Sequence, residues 1–245
     1  MKELNYFKKN GFVIFRNLLN KKILKKCLIV SKNINFKKYN KNKNVVFDSL
    51  NKNKKTVKYF QHIETFYPEF YKLQNTKILE IAKKLFKQDA FFCSMGLHNK
   101  APGNGTPTPF HQDNFFNRKK PPYELTAYIP LEKQDKRNGS ITYIKKSHKK
   151  GVLRHKPSKT KAFSATLKDN IVFNKNNIYK TKLNPGDVVF HHTNIIHGAE
   201  RNNSKKLSRF SVSVSIVGVK AKTDKNLDKL YKRFLKLNRY SKKND

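Results

Sequence analysis

Apolar and polar residues alternate most cleanly between 207 and 218. There Phe210, Val212, Val214 and Ile216 interleave with Arg209, Ser211, Ser213 and Ser215. Period-two alternation predicts a β-strand with one apolar face and one face of small polar side chains. Shorter runs predict strands at 90–99, 124–132, 140–145, 178–183 and 187–191, joined by connections rich in Pro, Gly and Asn. Many short strands with such connections indicate a sandwich or barrel. The first 89 residues read as mostly helical. Residues 6–16 suggest a short helix, a stop at Gly11 and a strand. Asn20 is placed to cap a helix whose Ile23, Leu24, Cys27, Leu28 and Ser31 form one stripe. Pro68 suits a first helical turn, and another helix starts at Asn75 or Thr76 with Ile78, Ile81, Ala82 and Leu85 inward. Residues 35–58, dense in Asn and Lys, read as loop. Leu227, Leu230, Phe234 and Leu237 mark a basic C-terminal helix that docks on the body. No internal repeat is present. The expected organisation is one domain over 1–245, with a helical support region (1–89), a β core (90–219) and a basic helix and tail (220–245).

Composition changes this picture little. At 245 residues with 37% hydrophobic content, the chain is long enough for one well-buried core. No apolar run approaches a membrane span, and the first residues lack a signal peptide's apolar stretch, so a cytoplasmic protein that avoids membranes is expected. Cys27 and Cys93 match neither a metal nor a disulfide spacing and are expected to be small buried hydrophobes. The net charge of +39 raises the question of nucleic acid. Of the 55 basic residues, however, 47 are Lys and 8 Arg, and there are 28 Asn. Lys and Asn have A/T-rich codons, so base composition accounts for the excess without selection for a polyanion. The lysines are also scattered rather than massed on one element. A field this positive attracts anionic small molecules, compatible with an anionic substrate, and binds nucleic acid only nonspecifically at low salt.

The candidate chemistry lies in three segments. Pro109–Phe116 contains His111-Gln112-Asp113, Phe190–Gly198 contains His197, and Arg209 heads the alternating strand. Two imidazoles and a carboxylate hold one face of an octahedral ferrous ion and leave the opposite face open. On a strand or its edge, residues two apart point to the same side. Zinc fits the same three ligands, but a nitrogen and oxygen set with room for a bidentate ligand suits iron better. A fixed guanidinium is a natural fork for a carboxylate. Residues 200–205 are rich in turn formers and would let the strands carrying His197 and Arg209 form a hairpin. His191 and His192 read as packing residues.

The order His-x-Asp, His, Arg resembles the phytanoyl-CoA dioxygenase family of Fe(II)- and 2-oxoglutarate-dependent oxygenases. Further segments are similar in the same order. Asn99–Gly103 looks like the family's Lys-x-Pro-Gly element. The run 121–131 looks like the strand in which Trp usually stands where Tyr128 does here. Residues 138–148 look like its Asn-Gly…Gly-Ser-His element, with Lys146 in place of the usual Gly. Leu183–Phe190 looks like the Gly-Asp-x-x-Phe strand before the last His. The resemblance implies a mainly β, double-stranded β-helix (a jelly-roll, cupin-like fold) with N-terminal helices on the larger sheet. It implies Fe(II) on His111, Asp113 and His197, and 2-oxoglutarate as cosubstrate with Arg209 at its far carboxylate. It implies O2 as co-reactant, and hydroxylation of a small-molecule substrate with release of succinate and CO2. A carboxylate at position 113 fills a coordination place that a halogenating relative leaves for chloride. Lys100 resembles a family lysine that assists at the cosubstrate carboxylates. Thr126 and Tyr128 share one strand face and are expected to line the pocket. Ala199 stands where members often carry Ser or Thr, and Ser211 is the polar-face residue able to replace that donor. Asn114, Phe115 and Phe116 would border the open face, and His155 falls where members often place a histidine near substrate. The competing reading is an inactive oxygenase fold that binds a polyanion such as nucleic acid. Loss of a metal ligand would signal it, and none of the three is lost.

Overall fold

A computed structural model describes residues 2–51, 54–103, 105–158, 160, 164–168 and 172–241. The N-terminal part contains α1 (Lys2–Asn10), β1 (Phe12–Phe15), α2 (Lys21–Asn33), β2 (Val45–Asn51), β3 (Lys54–Gln61), α3 (Ile63–Phe66) and α4 (Thr76–Phe86). Then follow β4 (Ala90–His98), β5 (Thr108–His111), α5 (Asp113–Asn117), β6 (Lys119–Lys120), β7 (Glu124–Pro130), β8 (Ile141–Ile144), β9 (His155–Pro157) and β10 (Ala165–Leu167). The chain ends in β11 (Ile178–Lys180), β12 (Val188–His192), β13 (His197–Ala199), β14 (Ser211–Gly218), β15 (Lys222–Thr223) and α6 (Lys225–Ser241).

A seven-stranded sheet in the order β1-β12-β7-β14-β4-β3-β2 faces a four-stranded sheet in the order β11-β8-β13-β5. All the pairings are antiparallel. This is the expected mainly β double-stranded β-helix, and the N-terminal helices cover its larger sheet. The alternation in β14 explains the arrangement. Phe210, Val212, Val214 and Ile216 are buried in one cluster with Leu24 and Cys27 of α2 and Ile78, Ala82 and Leu85 of α4. Ser213 and Ser215, on the opposite face, look into the space between the sheets. Each large apolar side chain buried in that cluster contributes about 1.5–3 kcal/mol. Asn20 caps α2 by accepting from the Lys22 amide (2.8 Å), and Asn75 caps α4 from the Lys77 amide (2.8 Å). Pro68 opens a 3-10 turn over Pro68–Leu73.

Three expectations are corrected. The Asn- and Lys-rich stretch read as loop supplies β2 and β3, which extend the larger sheet, with Val45 opposite Phe60. Its lysines hide this, because Lys58 is buried beside Asp48 (3.6 Å) instead of facing solvent. Residues 200–210 do not make a hairpin, because β13 belongs to the smaller sheet and β14 to the larger. The chain crosses between layers there. Asn202 holds the carbonyls of Lys100 (3.0 Å) and Leu207 (2.7 Å), and Gly139, at φ +70°, leaves no room for a Cβ against the Glu200 carbonyl. Cys27 is buried, but Cys93 is exposed, at a bulge where Ser215 and Ile216 pair with Ser94 and Phe92. Of the expected tail, 242–245 lie outside the described residues. Among those described, no helix is long and apolar enough to cross a membrane.

Candidate metal centre and cavity

His111 closes β5, and His197 opens β13. The two are cross-strand partners, with ring centroids 4.3 Å apart. Asp113 is not on the strand; it is the first residue of α5, reached through the extended Gln112 (φ −125°, ψ 130°). The change from strand to helix brings Asp113 Oδ1 within 3.5 Å of His111 Nε2 and 3.6 Å of His197 Nε2. One ligand atom from each of the three residues lies within 4.8 Å of the others, the spacing of donors around one ion.

Gln112, fully buried between the two ligands, fixes this turn. Its Nε2 donates to the carbonyls of Asn194 (2.6 Å) and Gly151 (2.7 Å), and its Oε1 accepts from the Leu153 amide (2.7 Å). Its own amide donates to His155 Nε2 (3.3 Å), while His155 Nδ1 donates to the Leu153 carbonyl (2.9 Å).

The ligand tautomers follow from their partners. His111 Nδ1 faces the Pro109 carbonyl (2.8 Å) and His197 Nδ1 the Ile195 carbonyl (3.1 Å). A carbonyl only accepts, so each Nδ1 carries the proton and each Nε2 presents a lone pair. The Asp113 oxygens are divided as well. Oδ2 accepts from His191 Nε2 (3.2 Å) and Thr126 Oγ1 (3.2 Å), which leaves Oδ1 toward the imidazoles. Burial favours the protonated carboxyl, but His197 and the hydrogen bond and charge of His191 outweigh it and hold Asp113 well below the usual carboxylate range. Burial, opposed by Asp113, lowers His197 to about 3. Two Nε2 lone pairs and an ionised carboxylate form a donor set suited to a divalent ion.

The three residues open onto a cavity of about 480 Å³. Arg209 lines it from the larger sheet, buried, with one guanidinium nitrogen on the Gly139 carbonyl (2.9 Å) and Nε without a partner. A buried donor left over on a guanidinium fits a ligand carboxylate. Thr126, Tyr128 and Phe116 also line the cavity.

Other candidates have different surroundings. Lys100 is not on the cavity wall; its buried Nζ donates to the carbonyls of Ala199 (3.1 Å) and Glu200 (2.5 Å), where burial, with Arg209 and Lys58, lowers it to about 5. Ser211 is buried beside the cavity without lining it, its hydroxyl unpartnered. Asn114 is turned inward, bonded to Asn194 Oδ1 (2.8 Å) and the Lys119 carbonyl (3.0 Å). Phe115 stacks on His155 (4.1 Å, 18°) and meets Tyr231 and Phe234 of α6 edge-on. Phe115 and His155 therefore dock the C-terminal helix and brace the metal turn. Arg118 adds an ion pair to Asp228 (3.1 Å) and lies over the Tyr231 ring (4.6 Å).

Sequence reasoning missed several cavity residues. His191 does not merely pack; it bridges Tyr143 (2.9 Å) and Asp113. His98 lies on Ser213 (2.9 Å) beside Arg209, and Tyr59, Glu124, Arg118 and Lys119 also line the wall. The signal for His191 and Glu124 was register: both lie on strands that face the metal motif, where the inward parity is set by Thr126.

A family model described as Phytanoyl-CoA dioxygenase (PhyH) matches residues 7–211. No match was found among curated proteins. Among solved structures, AviO1 from Streptomyces viridochromogenes Tue57 is similar at a TM-score of 0.70 and 15% identity, covering 90% of this chain and 96% of that one. EvdO2 from Micromonospora carbonacea var. aurantiaca, complexed with 2-oxoglutarate, gives 0.69 and 16% over 91% of each chain. EctD from S. alaskensis with bound Fe gives 0.70 and 14%, over 89% of this chain and 76% of that one. At such identities these likenesses concern the fold.

Proposed function

Because this chain belongs to the phytanoyl-CoA dioxygenase family, and is thereby a non-haem iron, 2-oxoglutarate-dependent oxygenase, we propose that it hydroxylates a small-molecule substrate at the centre built on His111, Asp113 and His197. The observation that carries this reading is the convergence of the three donors beneath a cavity that also holds a buried Arg209 with an unpartnered Nε. EvdO2, similar in fold, was solved with 2-oxoglutarate, and EctD with bound Fe.

His111 Nε2, His197 Nε2 and Asp113 Oδ1 would hold the iron, and Arg209 would take the cosubstrate's far carboxylate. When bound, the pair supplies a two-electron oxidation by O2, with 2-oxoglutarate leaving as succinate and CO2. The chain's own residues do the positioning. Thr126 and His191 fix the Asp113 carboxylate so that only Oδ1 is free, and Gln112 locks the turn between the ligands. Phe116 on the cavity wall, backed by Tyr231 of α6, limits water around the site.

Anaerobic addition of Fe(II) and 2-oxoglutarate tests the assignment. The expected result is the weak visible charge-transfer band of a chelated iron, lost in His197→Ala. A folded, iron-loaded protein without that band would overturn it.

A further inference from the structure

We propose that Glu124 is the substrate-recognising carboxylate of this cavity and that the substrate presents a protonated amine to it. The proposal rests on the oxygenase reading for the word substrate and on geometry for the rest.

The larger sheet orders the cavity from end to end. Tyr128, Thr126 and Glu124 occupy alternate positions on β7, and all three line the cavity. Tyr128 pairs with Ser213 and Thr126 with Ser215, so the strand runs from the Arg209 end past the metal carboxylate to Glu124. Thr126 bonds Asp113, which places the metal ligands level with the middle position. Two residues along a strand span about 6.7 Å. Glu124 therefore lies on the opposite side of the centre from the guanidinium proposed to hold the cosubstrate, where the oxidised molecule has to be.

The carboxylate is built in and half used. Its Oε1 accepts from Ser215 Oγ (2.8 Å) and Asn117 Nδ2 (2.8 Å), which ties β14 to the end of α5. Its Oε2 is closed off from solvent and has no partner, although the residue is only 5% exposed. Among the described residues no cation lies within ion-pair distance of it; Lys119, on the same cavity wall, acts on it from farther off. A buried carboxyl with one satisfied and one open oxygen is costly unless a donor arrives. Burial, with a contribution from Asp113 and against the Ser215 and Asn117 hydrogen bonds and the Lys119 charge, pushes this carboxyl up to about 7. An ammonium group restores its charge and supplies the missing donor in one contact, which a carboxylate or phosphate on the substrate does not. In a chain of net charge +39, an acidic group at this end of the cavity runs against the bulk field. It selects locally what the surface does not.

Glu124→Gln keeps the side chain's size and an Oε1 acceptor for Ser215 and Asn117, so the variant is expected to fold. The probes are matched: 1-hexylamine, 1-hexanol and hexanoate, titrated calorimetrically into anaerobic protein loaded with Fe(II) and 2-oxoglutarate. Wild type is expected to bind hexylamine about tenfold or more tighter than hexanol, a preference lost in the variant. Infrared difference spectra of wild type should show the carboxylic-acid C=O stretch giving way to carboxylate on amine binding, with no such change in the variant. Equal binding of amine and alcohol by wild type, a preference unchanged in Glu124→Gln, or tighter binding of hexanoate would each overturn the proposal. The same titration in metal-free protein separates this idea from the oxygenase reading. Amine preference without the charge-transfer band in loaded protein upholds Glu124 and sinks the iron assignment; the band without amine preference does the reverse.

Discussion

His191 Nε2 lies 3.2 Å from Asp113 Oδ2 and ties a strand of the larger sheet to the carboxylate of the candidate metal centre. An ionised carboxylate only accepts, so the imidazole proton is on Nε2, and Nδ1 receives the Tyr143 hydroxyl at 2.9 Å. The carboxylate is thereby held with one oxygen committed and the other presented. Removing the imidazole in His191→Ala is expected to lower Fe(II) affinity about 10–100-fold without unfolding the protein. Anaerobic metal titration reads this directly, and an unchanged affinity would reduce His191 to a packing residue.

Arg209 is the next test. Its bond to the Gly139 carbonyl holds it at the cavity wall and leaves Nε without a partner. Arg209→Ala is expected to raise the 2-oxoglutarate requirement about tenfold or more, because the cosubstrate carboxylate loses a buried charged partner. An apparent affinity equal to that of wild type would remove Arg209 from cosubstrate binding.

Lys100 should behave differently. Its Nζ donates to two carbonyls of the crossing segment, and the residue does not line the cavity. In Lys100→Met the fold is expected to lose about 1–3 kcal/mol as those acceptors go unsatisfied. The 2-oxoglutarate affinity should remain at the wild-type value. Thermal melts and cosubstrate titration on one preparation distinguish the two roles, since a cosubstrate lysine would show the opposite pattern.

The aromatic seat of α6 makes a further prediction. Phe115 contacts His155, Tyr231 and Phe234, so Phe115→Ala should loosen α6 by about 2 kcal/mol. Hydrogen exchange is expected to quicken across α6, while Fe(II) affinity falls less than in His191→Ala. Exchange rates in α6 that match wild type would show that the helix is held elsewhere.

Buried histidines set the acid limit of the metal-free protein. Burial lowers His98, His192 and His197 to about 3 and His155 to about 4, against an ordinary 6.5. Between those values the unfolded chain binds protons that the folded protein refuses. The stability they contribute is therefore complete above 6.5 and is lost as pH falls through 6 and 5 toward 4. Chemical denaturation from pH 7 to 4.5 should show a slope that grows toward four protons. A flat profile would mean that these imidazoles are charged in the folded state.

Residue type and spacing made much of this legible. The candidate ligands stand out because few other chemistries use His-x-Asp with a distant His. β14 stands out because its faces differ in both polarity and size. Asn20 and Asn75 declare their helices because a short amide side chain before an apolar stripe has little else to do. The rest is hidden for physical reasons. β2 and β3 are masked by lysine and asparagine, whose strand positions are set by tertiary pairing rather than by propensity. Lys100 cannot be told from 46 other lysines until its burial is known. Glu124, at the head of a strand, looks like a solvent residue, and only the register opposite Val217 and the bond to Ser215 turn it inward. The supposed hairpin after His197 failed because turn chemistry states that a chain bends, not which sheet it enters next.

That crossing segment has a mechanical consequence. His111 and His197 belong to the smaller sheet, whereas Asp113 is gripped by Thr126 and His191 of the larger one. An ion shared by these three would act as a cross-link between the two layers of the sandwich, much as a rivet joins two plates. Arg209 extends the same seam, since its side chain reaches from the larger layer to the carbonyl of Gly139, two residues before β8 of the smaller. Loading the centre would then raise the force needed to pry the layers apart. The metal-free protein should yield first along this seam, while the helix-backed face of the larger sheet stays intact.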